Sequence, residues 1–114
     1  MKEHMEAEGS FQFMGSHRMT IETDVDWDEN GNAVSIEGIG RMKMGKWFEY
    51  PFMTPSSATK NEDGSMHFEV PLKSMFGNGT LATVLDIDTD DNLAGQANIL
   101  KGLALKFSAK VTHF

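Results

Sequence analysis

The sequence lacks several features, and each absence excludes a class of function. The 114 residues include no cysteine, which excludes disulfides, thiolate zinc sites and cysteine nucleophiles. No run of about 18 apolar residues occurs, so no membrane-spanning helix is predicted. The 10 basic residues are outnumbered by 17 acidic ones, and they do not form the clusters that bind a phosphate backbone. We therefore expect neither a nucleic-acid nor a membrane partner.

The net charge of −7 marks an acidic protein, and solubility is its simplest explanation. The alternative is an acidic inhibitor of a basic partner, although the carboxylates are spread along the chain. The start of the chain, residues 1–6, has no apolar signal-peptide core. We expect a cytoplasmic location, with a secreted mature form as the alternative.

Alternation of apolar and polar residues is the dominant pattern in the sequence. It is clearest in His67–Leu72 and in Thr80–Ile87. A period of two is typical of strands with one dry face and one wet face. The predicted strands span about 5–14, 17–27, 33–40, 41–53, 65–73, 79–88, 93–99 and 103–113, with a short extra strand near 56–60.

Short turns separate these strands, such as Asp28–Asn32 with its Asn-Gly pair and the Asp63-Gly64 turn. The pattern predicts a single all-β domain over residues 1–114, built as an antiparallel up-and-down meander of about eight strands. Closure into a small barrel removes the exposed strand edges, so we favour a barrel over a β-sandwich.

The apolar parity of these strands is rich in methionine and phenylalanine. An eight-stranded barrel is wide enough to hold one small ligand or to be filled by side chains. Methionine adapts to varied apolar partners, which favours a pocket for a hydrophobic small molecule. The alternative is an ordinary filled core. The expected ligand-binding residues are Phe11, Phe13, Met19, Met42, Met44, Phe48, Tyr50, Phe52, Met66, Phe68 and Phe107.

The segment Gly45-Lys46-Trp47-Phe48-Glu49 resembles the Gly-x-Trp segment of the lipocalins, a calycin family of apolar-ligand barrels. The resemblance implies a ligand-binding barrel with Trp47 at its closed end. On parity alone, Trp47 points away from the core, which favours a homodimer formed through the 41–53 strand; the Met75-Phe76 loop is an alternative surface.

The stretch from Asp26 to Glu37 satisfies the pattern of a calcium loop, in which oxygen ligands surround a hard cation. Strand patterns flank it instead of helices, so the main expectation is an acidic hairpin turn and no metal. The alternative is a calcium site made of Asp26, Asp28 and Asn30.

No specific catalytic motif occurs in the sequence. His4 falls in a predicted frayed end, and we expect each histidine to be solvated or hydrogen-bonded. Polar groups on the dry parity, Tyr50, Thr23, Thr83 and His113, are the candidates if the barrel is an enzyme of isomerase or cyclase type. A ligand-binding barrel, a solid-core interaction module and such an enzyme therefore remain open, and no cofactor is expected.

Overall fold

The computed structural model describes residues 1–12, 15–44, 48–52, 55–73, 80–100 and 103–114. These residues form an all-β structure, as the alternation predicts. Its strands are β1 (Lys2–Gln12), β2 (Ser16–Trp27), β3 (Ala33–Met44), β4 (Phe48–Phe52), β5 (Ser57–Lys60), β6 (Met66–Lys73), β7 (Thr80–Ile87), β8 (Asn92–Leu100) and β9 (Leu103–His113).

The strands form one antiparallel sheet in the order β4-β3-β2-β1-β9-β8-β7-β6-β5. Each strand pairs with the next one in the chain, except that β4 does not pair with β5. The first strand also pairs with the last, in the middle of the sheet. The two edges approach each other, since β3 contacts β5 and β4 contacts β6. The sheet is thereby nearly closed into a barrel, which confirms the predicted fold class.

β4 and β5 together take the place of one strand in the barrel wall. β4 is antiparallel to β3 and β5 is antiparallel to β6, so β4 and β5 run in the same direction along the barrel wall. The chain therefore leaves the β3 edge near Phe52 and joins the β6 edge at Ser57. We call this passage between the two sheet edges the crossover, and the line where the edges meet the seam. Because β4 and β5 occupy one strand position in the barrel wall, the nine strands agree with the predicted number of about eight.

One end of the seam is closed by the backbone. Lys60 N donates to Gly31 O at 2.6 Å, and Asn32 forms an isolated antiparallel bridge with Thr59. Gly31 has φ +80°, and a Cβ atom there would collide with the Lys60 carbonyl. Glycine is therefore required both by the conformation of the turn and by the approach of β5.

Three hairpin turns lie at this same end of the barrel, which we call the closed end. In the first, Asp28 N donates to Asn32 O, and Asp28 Oδ1 accepts from the backbone N–H groups of Asn30 and Asn32. The turn at 88–92 repeats these bonds from Asp88, and the turn at 61–65 shares the outer backbone bond. The predicted turn at Asp28–Asn32 is confirmed.

Two predicted strand boundaries were wrong. β3 does not end at Gly40, because Gly40 pairs with both Ile21 and Phe52 and the strand continues to Met44. β1 begins at Lys2, so His4 lies within a strand and not in a frayed end; it is opposite Asp24, and its carbonyl accepts from Phe114 N. The short strand predicted near 56–60 is present as β5.

The core consists of the side chains at alternate positions of each strand that point into the barrel. Burial of these apolar side chains is the main favourable term, at about 25 cal/mol per Å² removed from water. The most deeply buried large side chains are Phe11, Met5, Met19, Leu105 and Val25.

Candidate site in the barrel interior

A small cavity lies inside the barrel beneath the crossover. Its volume is about 40 Å³, and nearly all of its surface is apolar. Side chains of β1, β6, β7 and β8 form one wall, among them Met5, Phe68 and Leu85. Gly38 and Gly40 of β3 and Pro55 of the crossover form the opposite wall. The cavity therefore borders the seam between the two sheet edges, and two glycines are part of its lining there.

Gly38 differs from the other strand glycines in what surrounds it. A Cβ atom on Gly38 would lie 3.1 Å from Thr23 Oγ1, a contact that a shift of a few tenths of an ångström relieves. A Cβ atom on Gly9 would collide with the backbone of Ser108 and Ala109. Gly9 is thus required by the close approach of β1 and β9, whereas Gly38 mainly leaves space beside the cavity.

The expected ligand-binding residues only partly meet at this cavity. Phe68 lines it, while Phe11, Met19, Met66 and Phe107 are buried elsewhere in the core. Phe11 and Phe107 pack against each other at 6.3 Å between ring centroids. The other expected residues lie outside the described residues (Phe13) or occupy β3 and β4 with side chains outside the described part: Met42, Met44, Phe48, Tyr50 and Phe52.

Two threonines place hydroxyl groups in the interior. Thr23 lines the cavity and donates from Oγ1 to Glu37 O at 2.9 Å. Thr83 is 1% exposed, and its Oγ1 has no hydrogen-bond partner among the described residues. A buried hydroxyl without a partner costs free energy, so the Thr83 hydroxyl could accept a hydrogen bond from a ligand or a water molecule or donate one to it.

A polar network fills the closed end of the barrel around Glu3. Glu3 Oε1 accepts from Trp27 Nε1 at 3.0 Å and from Lys60 Nζ at 3.2 Å. Glu3 Oε2 lies 2.8 Å from His113 Nδ1, and the other ring nitrogen of His113 lies 2.7 Å from Asp91 Oδ1. The network therefore joins both ends of the chain to the β5 edge and a hairpin turn.

The network shifts the pKa values of Glu3 and His113. Burial raises the pKa of Glu3, but hydrogen bonds from His113, Trp27 and Lys60 together outweigh burial, so the pKa is lowered. Burial lowers the pKa of His113, but hydrogen bonds to the Asp91 and Glu3 carboxylates outweigh it, and the pKa is raised. In both groups the shift of the pKa favours the charged form.

Trp27 occupies the closed end of the interior. It is 4% exposed, and its ring meets Phe68 edge-on at 6.3 Å between centroids. The resemblance assigned this position to Trp47, which lies outside the described residues with Gly45 and Lys46. The available signal was the inward parity of Trp27, next to the turn at Asp28.

The 28–32 turn has the hydrogen bonds of an acidic hairpin. One carboxylate oxygen of Asp28 accepts from two backbone N–H groups, and Asp26 Oδ1 accepts from the Met1 amine at 3.1 Å. Glu37, the last position of the calcium pattern, lies in β3 opposite Asp24. Calcium binding by Asp26, Asp28 and Asn30 stays a prediction.

The sequence matches no protein-family model, and searches of the curated proteins and of the solved structures found no match. The chain segments that the structure describes contain no helix capable of spanning a membrane.

Proposed function

We propose that the protein binds a small amphipathic molecule, with the apolar end of the ligand in the interior cavity. The observation that carries this proposal is the nearly wholly apolar cavity, whose lining includes Gly38, Gly40 and Pro55. An apolar group that enters there exchanges water for apolar neighbours, which is favourable in proportion to the area buried.

The size of the cavity limits the group that fits. A cavity needs a volume of about 10–15 Å³ to hold one water molecule, and a cavity of about 150 Å³ binds benzene. The 40 Å³ cavity therefore suits the terminal carbons of an alkyl chain better than a ring. Met5, an unbranched and flexible side chain in the wall, can adjust to a longer chain.

A polar groove outside the cavity suits the other end of such a ligand. The groove has a volume of about 290 Å³ and lies between the start of β3 and the 55–59 segment. Pro55 borders both the groove and the cavity. Ser35, Ser57 and Thr59 supply hydroxyl groups there, and none of the residues lining the groove is charged. We infer an uncharged head group, such as an alcohol.

Titration of 1-decanol into isotopically labelled protein, followed by amide chemical shifts, tests this proposal. We expect shifts at Ala7, Phe68 and Leu85, which line the cavity. Ala7→Leu fills the cavity and is expected to weaken binding at least tenfold, equivalent to about 1.4 kcal/mol. Ala94→Leu makes the same change on the exposed face of β8 and should bind decanol as the unmodified protein does.

A solid-core interaction module is the competing function, and the small volume of the cavity supports it. In that case decanol causes no saturable shifts, and Ala7→Leu changes only stability. That result would overturn the ligand proposal. The enzyme alternative, the lipocalin-like resemblance and the homodimer stay predictions; the Met75-Phe76 surface lies outside the described residues.

A further inference from the structure

Four polar side chains form a cluster on the outer face of the barrel. His4 and Glu6 alternate along β1, and Glu22 and Asp24 alternate along β2. The register places His4 opposite Asp24 and Glu6 opposite Glu22. β1 pairs on its other side with β9, and β2 pairs with β3, so the backbone that carries the cluster is held on both sides.

The His4 ring has a fixed orientation within this cluster. Its Nδ1 lies 2.7 Å from Asp24 Oδ1, and the Phe114 ring packs against it at 5.5 Å between centroids. Its Nε2 is thereby directed between two carboxylates, at 3.3 Å from Glu6 Oε1 and 3.7 Å from Glu22 Oε1.

The spacing of these three donor atoms is compatible with binding of one metal ion. One ligand atom each of His4, Glu6 and Glu22 lies within 4.8 Å of the others. Metal–ligand bonds of about 2.1 Å in a tetrahedron place neighbouring donors about 3.4 Å apart. The two distances from Nε2 bracket that value. A histidine that donates from its second nitrogen to a carboxylate is also the usual arrangement for a metal ligand.

A second histidine in the same barrel has nearly the same neighbours and supplies an internal comparison. His67 Nδ1 lies 2.6 Å from Asp86 Oδ1, and its Nε2 lies 4.0 Å from Glu69 Oε1. The register places His67 opposite Asp86 and Glu69 opposite Val84. Val84 thus stands where the His4 cluster has Glu22, so the His67 cluster has one carboxylate ligand fewer.

We propose that His4, Glu6 and Glu22 bind a divalent first-row transition metal ion such as Zn²⁺, with Asp24 as the positioning residue for the imidazole. Imidazole and carboxylate donors suit such ions, and three protein ligands leave a fourth position for water. The bound cation also relieves the repulsion between Glu6 and Glu22, which lie directly opposite each other on adjacent strands.

Hydrogen bonds to the Asp24 and Glu6 carboxylates raise the pKa of His4, so a proton competes with the metal for Nε2. Binding is therefore measured above neutral pH. Titration of Zn²⁺ is followed by the imidazole C–H resonances of the four histidines. We expect the His4 resonances to shift and saturate at one equivalent, before those of His67 respond.

Two exchanges between the clusters complete the test. Glu22→Val gives the His4 cluster the composition of the His67 cluster and should weaken Zn²⁺ binding at least tenfold. Val84→Glu adds the missing carboxylate beside His67 and should create a second site. Both positions are exposed, and circular dichroism checks that the variants fold. Equal responses of His4 and His67, or unchanged binding by Glu22→Val, would mean general attraction to an acidic surface and would overturn the proposal.

Discussion

Gly9→Ala should destabilise the barrel far more than Gly38→Ala, although both add one methyl group to the inward face of a strand that is paired on both sides. Gly9 lies opposite Ala109 of β9 and opposite Met19 of β2. A Cβ atom on Gly9 would lie 2.7 Å from Ala109 Cβ and still closer to the backbone of Ser108. Because backbone atoms cannot rotate away, β1 and β9 must separate.

The magnitude follows from the contacts that this separation disturbs. Overpacking costs about 1–3 kcal/mol. Weakening two neighbouring hydrogen bonds of the β1–β9 ladder adds about 1 kcal/mol each. We therefore expect Gly9→Ala to lower the free energy of unfolding by about 3–5 kcal/mol. The nearest contact of a Cβ atom on Gly38 is the Thr23 hydroxyl at 3.1 Å, which yields by a small shift. We expect Gly38→Ala to stay within about 1 kcal/mol of the unmodified protein.

Urea unfolding followed by circular dichroism measures both changes on one scale. The difference between the two variants is the informative quantity, since both exchange the same residue types. Equal effects, or a Gly9→Ala variant within 1 kcal/mol of the unmodified protein, would refute the inference that Gly9 is needed for the approach of β1 and β9.

Two further predictions concern the polar groups of the interior. The pKa of Glu3 is lowered from 4.5, so its contribution to stability is present above pH 4.5 and is lost as pH falls through the lowered pKa. The pKa of His113 is raised from 6.5, so its contribution is complete below pH 6.5 and is lost as pH rises through the raised pKa. Thermal unfolding should therefore show stability falling as pH rises above 6.5. The fall should be less steep in His113→Gln and least steep in a His4→Gln/His113→Gln double variant, because the pKa of His4 is raised too. An unchanged slope in His113→Gln would contradict the network. Thr83→Val replaces a buried hydroxyl that has no partner among the described residues, and should stabilise the fold by about 1 kcal/mol in urea unfolding; a loss of stability would indicate a bound partner such as water.

The alternation of residues was sufficient for most of the fold. Leu103–His113 was predicted with the bounds that β9 has, because every second residue from Leu103 to Val111 is apolar. The predicted end of the third strand at Gly40 was wrong: a glycine often interrupts a strand, whereas here Gly40 continues β3 between Ile21 and Phe52. The strand predicted at about 5–14 starts too late, because the polar residues at the start of β1 look like a solvated end.

The interior site was harder to predict, because it depends on contacts between distant parts of the chain. Glu3 and Lys60 are 57 positions apart, and no local pattern joins them. Parity offered a partial signal, since Glu3 and His113 both fall on the dry parity at the ends of their strands. The cavity depends on where the chain passes from β3 to β6, which composition does not reveal.

The pairing of β1 with β9 has a consequence for the order of folding. The strand order consists of two meanders, β1–β4 and β5–β9, that meet in the middle of the sheet through the first and last strands. During synthesis this edge of β1 has no partner until β9, the last of the described strands, has emerged. Long-range pairing of this kind slows folding and exposes a strand edge to other chains. The rate-limiting step of folding should therefore be the docking of the two meanders. The expected form of misfolding is a domain swap, in which two copies of the chain exchange one meander.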